Sequence, residues 1–438
     1  MSLVNNAMGL GLRAINRFAG LPLVDRLGLR RPAEKALYHG ARAGFRTAAA
    51  TARLFKATQQ LARPARLKVG EPRGLFDLTP SEEQQMLREA AQGFALEQLR
   101  PAATAADAAC RAEPALLQSA GELGIGLMAI PEELGGAGSE RSPMTNTLVA
   151  EALAQGDMGL AVAVLAPVAV SNALVLWGNA DQQATYLPAF AGEQAPAAAL
   201  AVLEPRPLFD PWALQTTARA VDGGYVLSGV KSLVPRAADC ELFIVAAQLE
   251  GRGPALFIVE SSASGLAIEA EPAMGLRAAA TGRLHLDQVR VGVGALLGEG
   301  QAEVYRDCID LGRIAWNALA VGTAQAALDY LVPYVNERIA FGEPISHRQS
   351  VAFAVANVGI ELEGMRLLNW RAASRAEQGL SFTQEAAVAR RLCADKGAVI
   401  GSDAVQLLGG HGFVKEHPVE RWYRDLRAAG VMEGVLLV

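Results

Sequence analysis

Residues 223–260 read GGYVLSGVKSLVPRAADCELFIVAAQLEGRGPALFIVE, three short runs rich in β-branched and aromatic residues, separated by turn residues. Tyr225-Val226-Leu227, Leu242-Phe243-Ile244-Val245 and Ala255-Leu256-Phe257-Ile258-Val259 follow one another with no room for a crossover helix. The alternating Leu284, Leu286, Val289 and Val291 extend the series. Parallel βαβ units need such helices, so the spacing predicts an antiparallel barrel or sandwich over about 196–298.

On both sides the period changes to that of helices. Thr79-Pro80-Ser81-Glu82-Glu83 opens a helical region with a proline in the first turn and acid near the N-terminus. The Gly-rich stretch Pro131–Gly138 interrupts it, and long amphipathic segments return between Ala302 and Leu426. The expected chain is therefore mostly α with a central β domain. Its parts are a basic helical extension at 1–77, an α-helical N-terminal domain at 78–195, a β-barrel middle domain at 196–298, and a C-terminal helical bundle at 299–438.

Composition narrows the function. The 438 residues are 51% hydrophobic and 19% charged, enough apolar side chain for large cores and too much for disorder. Lys+Arg 40 against Asp+Glu 45 gives a net charge of −5, which is no nucleic-acid signature. Within residues 1–70, thirteen Lys/Arg face only Asp25 and Glu34, so a basic arm precedes an acidic body. A helix is expected from Pro32 to Leu61, with Leu37, Ala41, Phe45, Ala48, Ala52 and Phe55 on one stripe and Lys35, Arg42, Arg46, Arg53 and Lys56 beside it. That pattern fits peripheral contact with an anionic membrane, packing against the body, or an organellar transit segment. Met158–Ala180 carries no charge over 23 positions, but Pro167, Asn172 and Asn179 interrupt it and Asp157 and Asp181 flank it, so a buried helix is expected. Cys110, Cys240, Cys308 and Cys393 are scattered, and the five histidines lack ligand spacing, so no metal site or disulfide framework is expected. Gly9-Leu10-Gly11 has no preceding strand and is not a dinucleotide fingerprint. No GxSxG elbow or P-loop occurs.

Two longer stretches carry more. Residues 313–350, RIAWNALAVGTAQAALDYLVPYVNERIAFGEPISHRQS, and 404–425, AVQLLGGHGFVKEHPVERWYRD, resemble the acyl-CoA dehydrogenase family. PEELGGAG at 131–138, QQATYLP at 182–188, Leu203-Glu204-Pro205, YVLSGVK at 225–231 and Met274-Gly275-Leu276-Arg277 extend the resemblance in the same order. It implies that Arg338, Phe341, Gln349, Gln406, Gly409 and Gly410 grip the FAD of a neighbouring subunit. Those residue types suit a flavin dinucleotide, since arginine pairs with pyrophosphate, phenylalanine packs on the cofactor, and glycines admit close approach. The resemblance further places Asp310 and Arg313 near the CoA pantetheine. It makes Glu433 the base that removes the α-proton of a fatty acyl-CoA, a role that asks for an apolar pocket to raise the carboxyl pKa. The family's alternative base position is occupied by Gly312. Implied with it are α,β-dehydrogenation to the trans-2-enoyl-CoA, an electron-transfer flavoprotein as partner, and a homodimer or homotetramer. The scattered cysteines and the basic arm lead to the expectation of a cytoplasmic site, peripheral to the inner membrane, or a mitochondrial one in a eukaryote.

The departures cluster at the flavin. The family's TEPxxGSD reads LEPRPLFD at 203–210, and its KxWITN reads KSLVPR at 231–236. Leu203, Phe209, Leu233 and Pro235 thus replace polar or indole groups, and each lost hydrogen bond is worth roughly 1 kcal/mol. Val435 stands for the usual threonine after Glu-Gly. Beside an active dehydrogenase, two alternatives remain: a catalytically weak subunit completing a paralogous partner's FAD site in a heteromer, and a non-enzymatic acyl-CoA-binding membrane protein.

Overall fold

The computed structural model describes residues 64–69, 78–138, 140–192 and 195–438. The basic helix expected at 32–61 lies outside them, and with it the membrane contact. Helix α1 (Glu82–Phe94) begins where the sequence places it: Gln84 N donates to Ser81 Oγ at 3.1 Å and Ser81 N to Gln84 Oε1 at 2.9 Å, a reciprocal capping box. It continues through a wide turn at Ala95–Leu99 into α2 (Arg100–Ala109). Helices α3 (Pro114–Gly121), α4 (Ile125–Met128), α5 (Pro143–Gly156), α6 (Met158–Trp177) and α7 (Ala180–Phe190) complete this layer. A short parallel pair, β1 (Lys68–Val69) and β2 (Glu140–Arg141), joins the chain before α1 to the chain before α5.

Helix α6 is the charge-free run. It is long and apolar enough to cross a membrane, yet 78% of its most apolar stretch is buried by the protein's own helices and sheet. Asp157 caps it, accepting from Leu160 N at 2.9 Å, and is held by Arg421 Nε at 2.9 Å. Burial raises the Asp157 carboxyl, with Arg421 opposing, and burial pushes Asp425, in the same cluster, up to about 8.

The β runs form one curled sheet of β3 (Ala198–Ala201), β4 (Thr217–Val221), β5 (Gly224–Val234), β6 (Leu242–Leu249), β7 (Gly253–Glu260), β8 (Leu266–Ala270) and β9 (Gly282–Gly292), in the order β3-β6-β4-β5-β9-β8 with β7 on the other side of β6. The β4-β5-β9-β8 and β6-β7 pairings are antiparallel, as the spacing predicts. Unlike the expectation, β3 and β4 both run parallel to β6. Each reaches β6 through a long connection rather than a hairpin, which frees its direction. Side chains alternate: Leu242, Ile244 and Ala246 join the helical core, while Phe243, Val245 and Ala247 fill the sheet's own interior. Burial on both faces explains why these strands read as unbroken apolar runs.

The last part is built on α8 (Ala302–Glu337), α9 (Gln349–Glu377) and α10 (Thr383–Leu407), closed by α11 (Val419–Leu426) and α12 (Ala428–Val431). Helix α8 has 36 residues, about 54 Å at 1.5 Å per residue. It crosses α5 closely, because a Cβ on Gly322 would stand only 2.0 Å from Glu151 O. Glu151 is buried there, accepting from Arg366 Nε at 2.7 Å and Trp370 Nε1 at 3.2 Å.

Candidate active site

Three of the expected site residues meet at one end of α8. Glu433 is buried just beyond α12, and Arg313 reaches it from α8, with Nη2 3.0 Å from Oε1 and Nε 3.1 Å from Oε2. A second guanidinium joins from α10: Arg390 Nη2 lies 3.1 Å from Glu433 Oε1, and its Nη1 donates to Met432 O at 2.7 Å. Burial lowers Arg390 from its ordinary value, with Glu433 working the other way. The carboxylate therefore sits between two arginines rather than in the wholly apolar pocket expected of the base. Asp310 is fully buried, with Arg313 Nη1 3.7 Å from its Oδ1, so Arg313 is turned chiefly toward Glu433. Burial raises the Asp310 carboxyl, against the Thr383 hydroxyl and Arg313. Nothing in the sequence flagged Arg390, whose pairing spans two helices and a turn.

Behind Glu433, residues 435–438 pack between α6 and α8. Gly312 faces them: a Cβ there would meet Gly434 Cα and Leu436 O, each at 3.1 Å. The two places from which the family draws its base thus adjoin in space. Gly434 has φ +64, and a Cβ on it would stand 2.3 Å from Val202 Cγ2, so no larger residue fits without displacing β3's continuation. Val435 follows at φ +74, a conformation that costs a β-branched residue on the order of 1–3 kcal/mol. Trp316 Nε1 donates to Gly434 O at 2.7 Å, Asn172 Nδ2 to Leu437 O at 3.2 Å, and Arg141 Nη2 to Val438 O at 3.1 Å.

The departures at the flavin wall have a structural counterpart. Leu203 is buried, and its carbonyl accepts from Ser232 N at 2.9 Å. Arg206 Nη2 donates to Asp210 O at 3.0 Å and Ala213 O at 2.5 Å, and its guanidinium lies 5.4 Å from the Phe209 ring centroid, so the 206–213 loop is closed on itself. Leu233 takes φ +51 at a register shift in β5, and its N–H and the Ser232 hydroxyl both donate to Glu271, which also binds Arg283. Below this wall, Lys231 is buried with Nζ 3.0 Å from both Glu204 Oε1 and Val202 O. Burial lowers Lys231 to about 8, with Glu204 opposing. Burial works against the Glu204 carboxylate too, but Lys231 and the Gln215 and Thr216 amides outweigh it and hold it below the usual range.

The other six residues are elsewhere. Arg338 follows the far end of α8, about 37 Å from Arg313 along the helix. It leads into a hairpin of β10 (Ile339–Ala340) and β11 (Glu343–Pro344) whose turn, Phe341-Gly342, has φ +56 and +86, the signature of a type I′ turn. Phe341 stands 97% exposed at its tip. Gln349, Gln406, Gly409 and Gly410 are exposed as well. Tyr334, one turn before Arg338, ties the two motifs together, its hydroxyl 3.3 Å from Leu408 O and 2.9 Å from His411 Nδ1. These groups suit the phosphates and ribose of a dinucleotide, but they are too far from Glu433 to serve their own chain's reaction centre. The exposed end is polar and suits dinucleotide phosphates, whereas the segment of Leu203, Phe209 and Leu233 is apolar, with the Leu203 carbonyl and the Leu233 N–H already bonded to Ser232 and Glu271.

Known proteins match along the whole described body. Sequence profiles for the N-terminal, middle and C-terminal domains of acyl-CoA dehydrogenase match residues 81–194, 199–289 and 300–436. The bovine mitochondrial short-chain specific acyl-CoA dehydrogenase is 35% identical over 366 residues, 81% of this chain and 87% of the relative. An acyl-CoA dehydrogenase of Bacillus subtilis is 31% identical over 362 residues, covering 81% of this chain and 95% of the relative. Among solved structures, butyryl-CoA dehydrogenase from Megasphaera elsdenii superposes with a TM-score of 0.75 at 29% identity, over 82% of this chain and 96% of that one. With all three domain profiles in chain order and the fold they predict, this chain belongs to the acyl-CoA dehydrogenase family, FAD-dependent oxidoreductases acting on acyl-CoA thioesters.

Proposed function

We propose that the chain catalyses FAD-dependent α,β-dehydrogenation of a short-chain acyl-CoA, with Glu433 as the base. The observation that carries this is the placement of Glu433, fixed by Arg313 and Arg390 in the turn whose next residue, Gly434, packs against Gly312. Oε1 is held by both arginines, whereas Oε2 has one close donor and keeps room to take the α-proton. When bound, FAD supplies the acceptor for the hydride that leaves the β-carbon. Its phosphates would be held by Arg338 and its ribose by Gln349 and Gln406 of a second copy, with Phe341, Gly409 and Gly410 against it. The short-chain assignment is supported by the names of the mitochondrial relatives and of the butyryl-CoA enzyme. Oligomerisation is supported by an uncovered apolar face: Phe353, Ile360 and Leu367, seven apart on α9, and Val388 and Val399 on α10 are all exposed. An electron-transferring flavoprotein of Acidaminococcus fermentans, 30% identical with a TM-score of 0.75, is among the structural neighbours, and electron transfer to such a flavoprotein completes the proposed cycle. The compartment proposed is that of the relatives, mitochondrial in a eukaryote and cytoplasmic otherwise. The test is anaerobic addition of butyryl-CoA to the purified oligomer. Loss of flavin absorbance is expected, and its absence with acyl-CoA of every chain length overturns the reading.

The apolar ring wall favours one second reading, a subunit that lends its exposed arms to a paralogous partner. Flavin retained only on co-expression with that partner would select it.

A further inference from the structure

Four ionisable groups meet at the Glu433 turn, and their bonding is lopsided. Two guanidiniums, Arg313 and Arg390, face two buried carboxyls, Glu433 and Asp310. Both guanidiniums hold Glu433, whereas neither oxygen of the fully buried Asp310 has a well-formed hydrogen bond. A buried carboxyl left so is costly and calls for an explanation. Arg313 Nη1 lies 3.7 Å from Asp310 Oδ1, so a shift of about 0.8 Å brings it to the usual N–H···O length. One arginine would then serve each carboxyl. We propose that Asp310 is a positioning residue, the second berth of Arg313: arrival of the thioester sends Arg313 from Glu433 to Asp310 and leaves Glu433 Oε2 open to the α-proton. The proposal rests on the dehydrogenase reading above and deepens it.

The atoms involved fit a swap of partners. Among the described residues, Arg313 Nε at 3.1 Å is the hydrogen-bond donor to Glu433 Oε2, while Oε1 is held by Arg390 as well. Departure of Arg313 therefore frees Oε2 alone. Arg390, tied also to Met432 O at 2.7 Å, keeps the carboxylate in place. An α-carbon brought to Oε2 competes with Arg313 Nε for the same oxygen and offers that N–H no acceptor, so the ligand favours the state in which Arg313 has turned away. Asp310 offsets the bonds that Arg313 gives up. It stands three residues before Arg313 on α8, so the berth stays beside the guanidinium whichever way the guanidinium points. Loading the site and baring the base are then one event.

The holo-oligomer crystallised with S-butyl-CoA, a thioether that lacks the carbonyl and so the acidic α-proton, reads the swap without any mutation. Arg313 Nη1 should lie about 3 Å from Asp310 Oδ1, and Arg313 Nε beyond about 3.5 Å from Glu433 Oε2. S-butyl-CoA seated with Arg313 still on Glu433 overturns the proposal and leaves the dehydrogenase reading standing. In solution, Asp310→Asn keeps the shape and the capacity to accept an amide hydrogen bond but loses the charge that receives a guanidinium. Flavin bleaching at saturating butyryl-CoA should slow about tenfold, with calorimetric affinity for butyryl-CoA kept within about twofold. Adding Arg313→Met to Asp310→Asn should recover at least about threefold of that rate, a rescue that simple loosening of the site would not give. Weaker butyryl-CoA binding at an unchanged bleaching rate makes Asp310 a thioester-binding group only and overturns the proposal. Wild type that bleaches with no acyl-CoA of any chain length overturns both readings.

Discussion

The two ends of α8 are opposites. At one end Arg313 is largely buried and bonded twice to a buried carboxylate; at the other Arg338 is exposed beside an almost naked phenylalanine. Within one chain the first end is complete and the second is idle. A buried charge without a partner is costly, so the Glu433 end must satisfy itself internally. An exposed arginine and an exposed ring carry no such demand and can wait for a ligand held by another molecule. On the proposed function, the contrast makes catalytic placement a property of the chain and cofactor retention a property of the assembly.

The sharpest way to break the comparison is Glu433→Gln, which keeps size and bonding to the arginines but removes basicity. Flavin bleaching by butyryl-CoA in stopped flow should slow at least ~10²-fold with flavin content unchanged. Next is Arg338→Ala, which should lower bound flavin, measured per chain by absorbance, about tenfold in retention constant while leaving the fold intact by circular dichroism. Mixing the two variants sharpens the picture: activity should reappear in hybrids, since one copy brings the base and the other the arm. Arg390→Met removes half of the clamp and should cost about 2 kcal/mol in urea unfolding, together with a slower bleaching rate, whereas an outward-facing role would leave both unchanged.

The smallest effect is at Lys231. Its folded-state pKa, about 8, lies below the ordinary lysine value, so between that pH and roughly 10.5 the unfolded chain holds the extra proton. Stability from this group therefore rises with pH across that window. The urea midpoint of the wild type, relative to that of Lys231→Met, should rise between pH 8 and pH 10, and parallel curves would refute the assignment.

What the sequence revealed was what repeats locally. The strand runs at 225–227, 242–245 and 255–259, the capped start at Ser81 and the buried charge-free helix all follow from periods of 2 and 3.6 and from cap chemistry. The exposed arms were legible because the motifs around Arg338 and Gly409 are contiguous. Hidden from it were contacts made across distance: Arg390 against Glu433, the parallel entry of β3 and β4 beside β6, and the self-closure of the loop at Arg206. No periodicity encodes which helix a distant turn will touch. The resemblance could point to Glu433, but it could not tell that two guanidiniums would share it.

The length of α8 has a consequence for how the protein behaves when dilute. With Arg338 serving the flavin phosphates of a second copy, as proposed, a rigid rod that sets it some 37 Å from Arg313 would make holoprotein formation a second-order event. Flavin occupancy then obeys mass action in the polypeptide itself, so serial dilution alone should bleed cofactor from the protein, and concentrating it with added flavin should restore it.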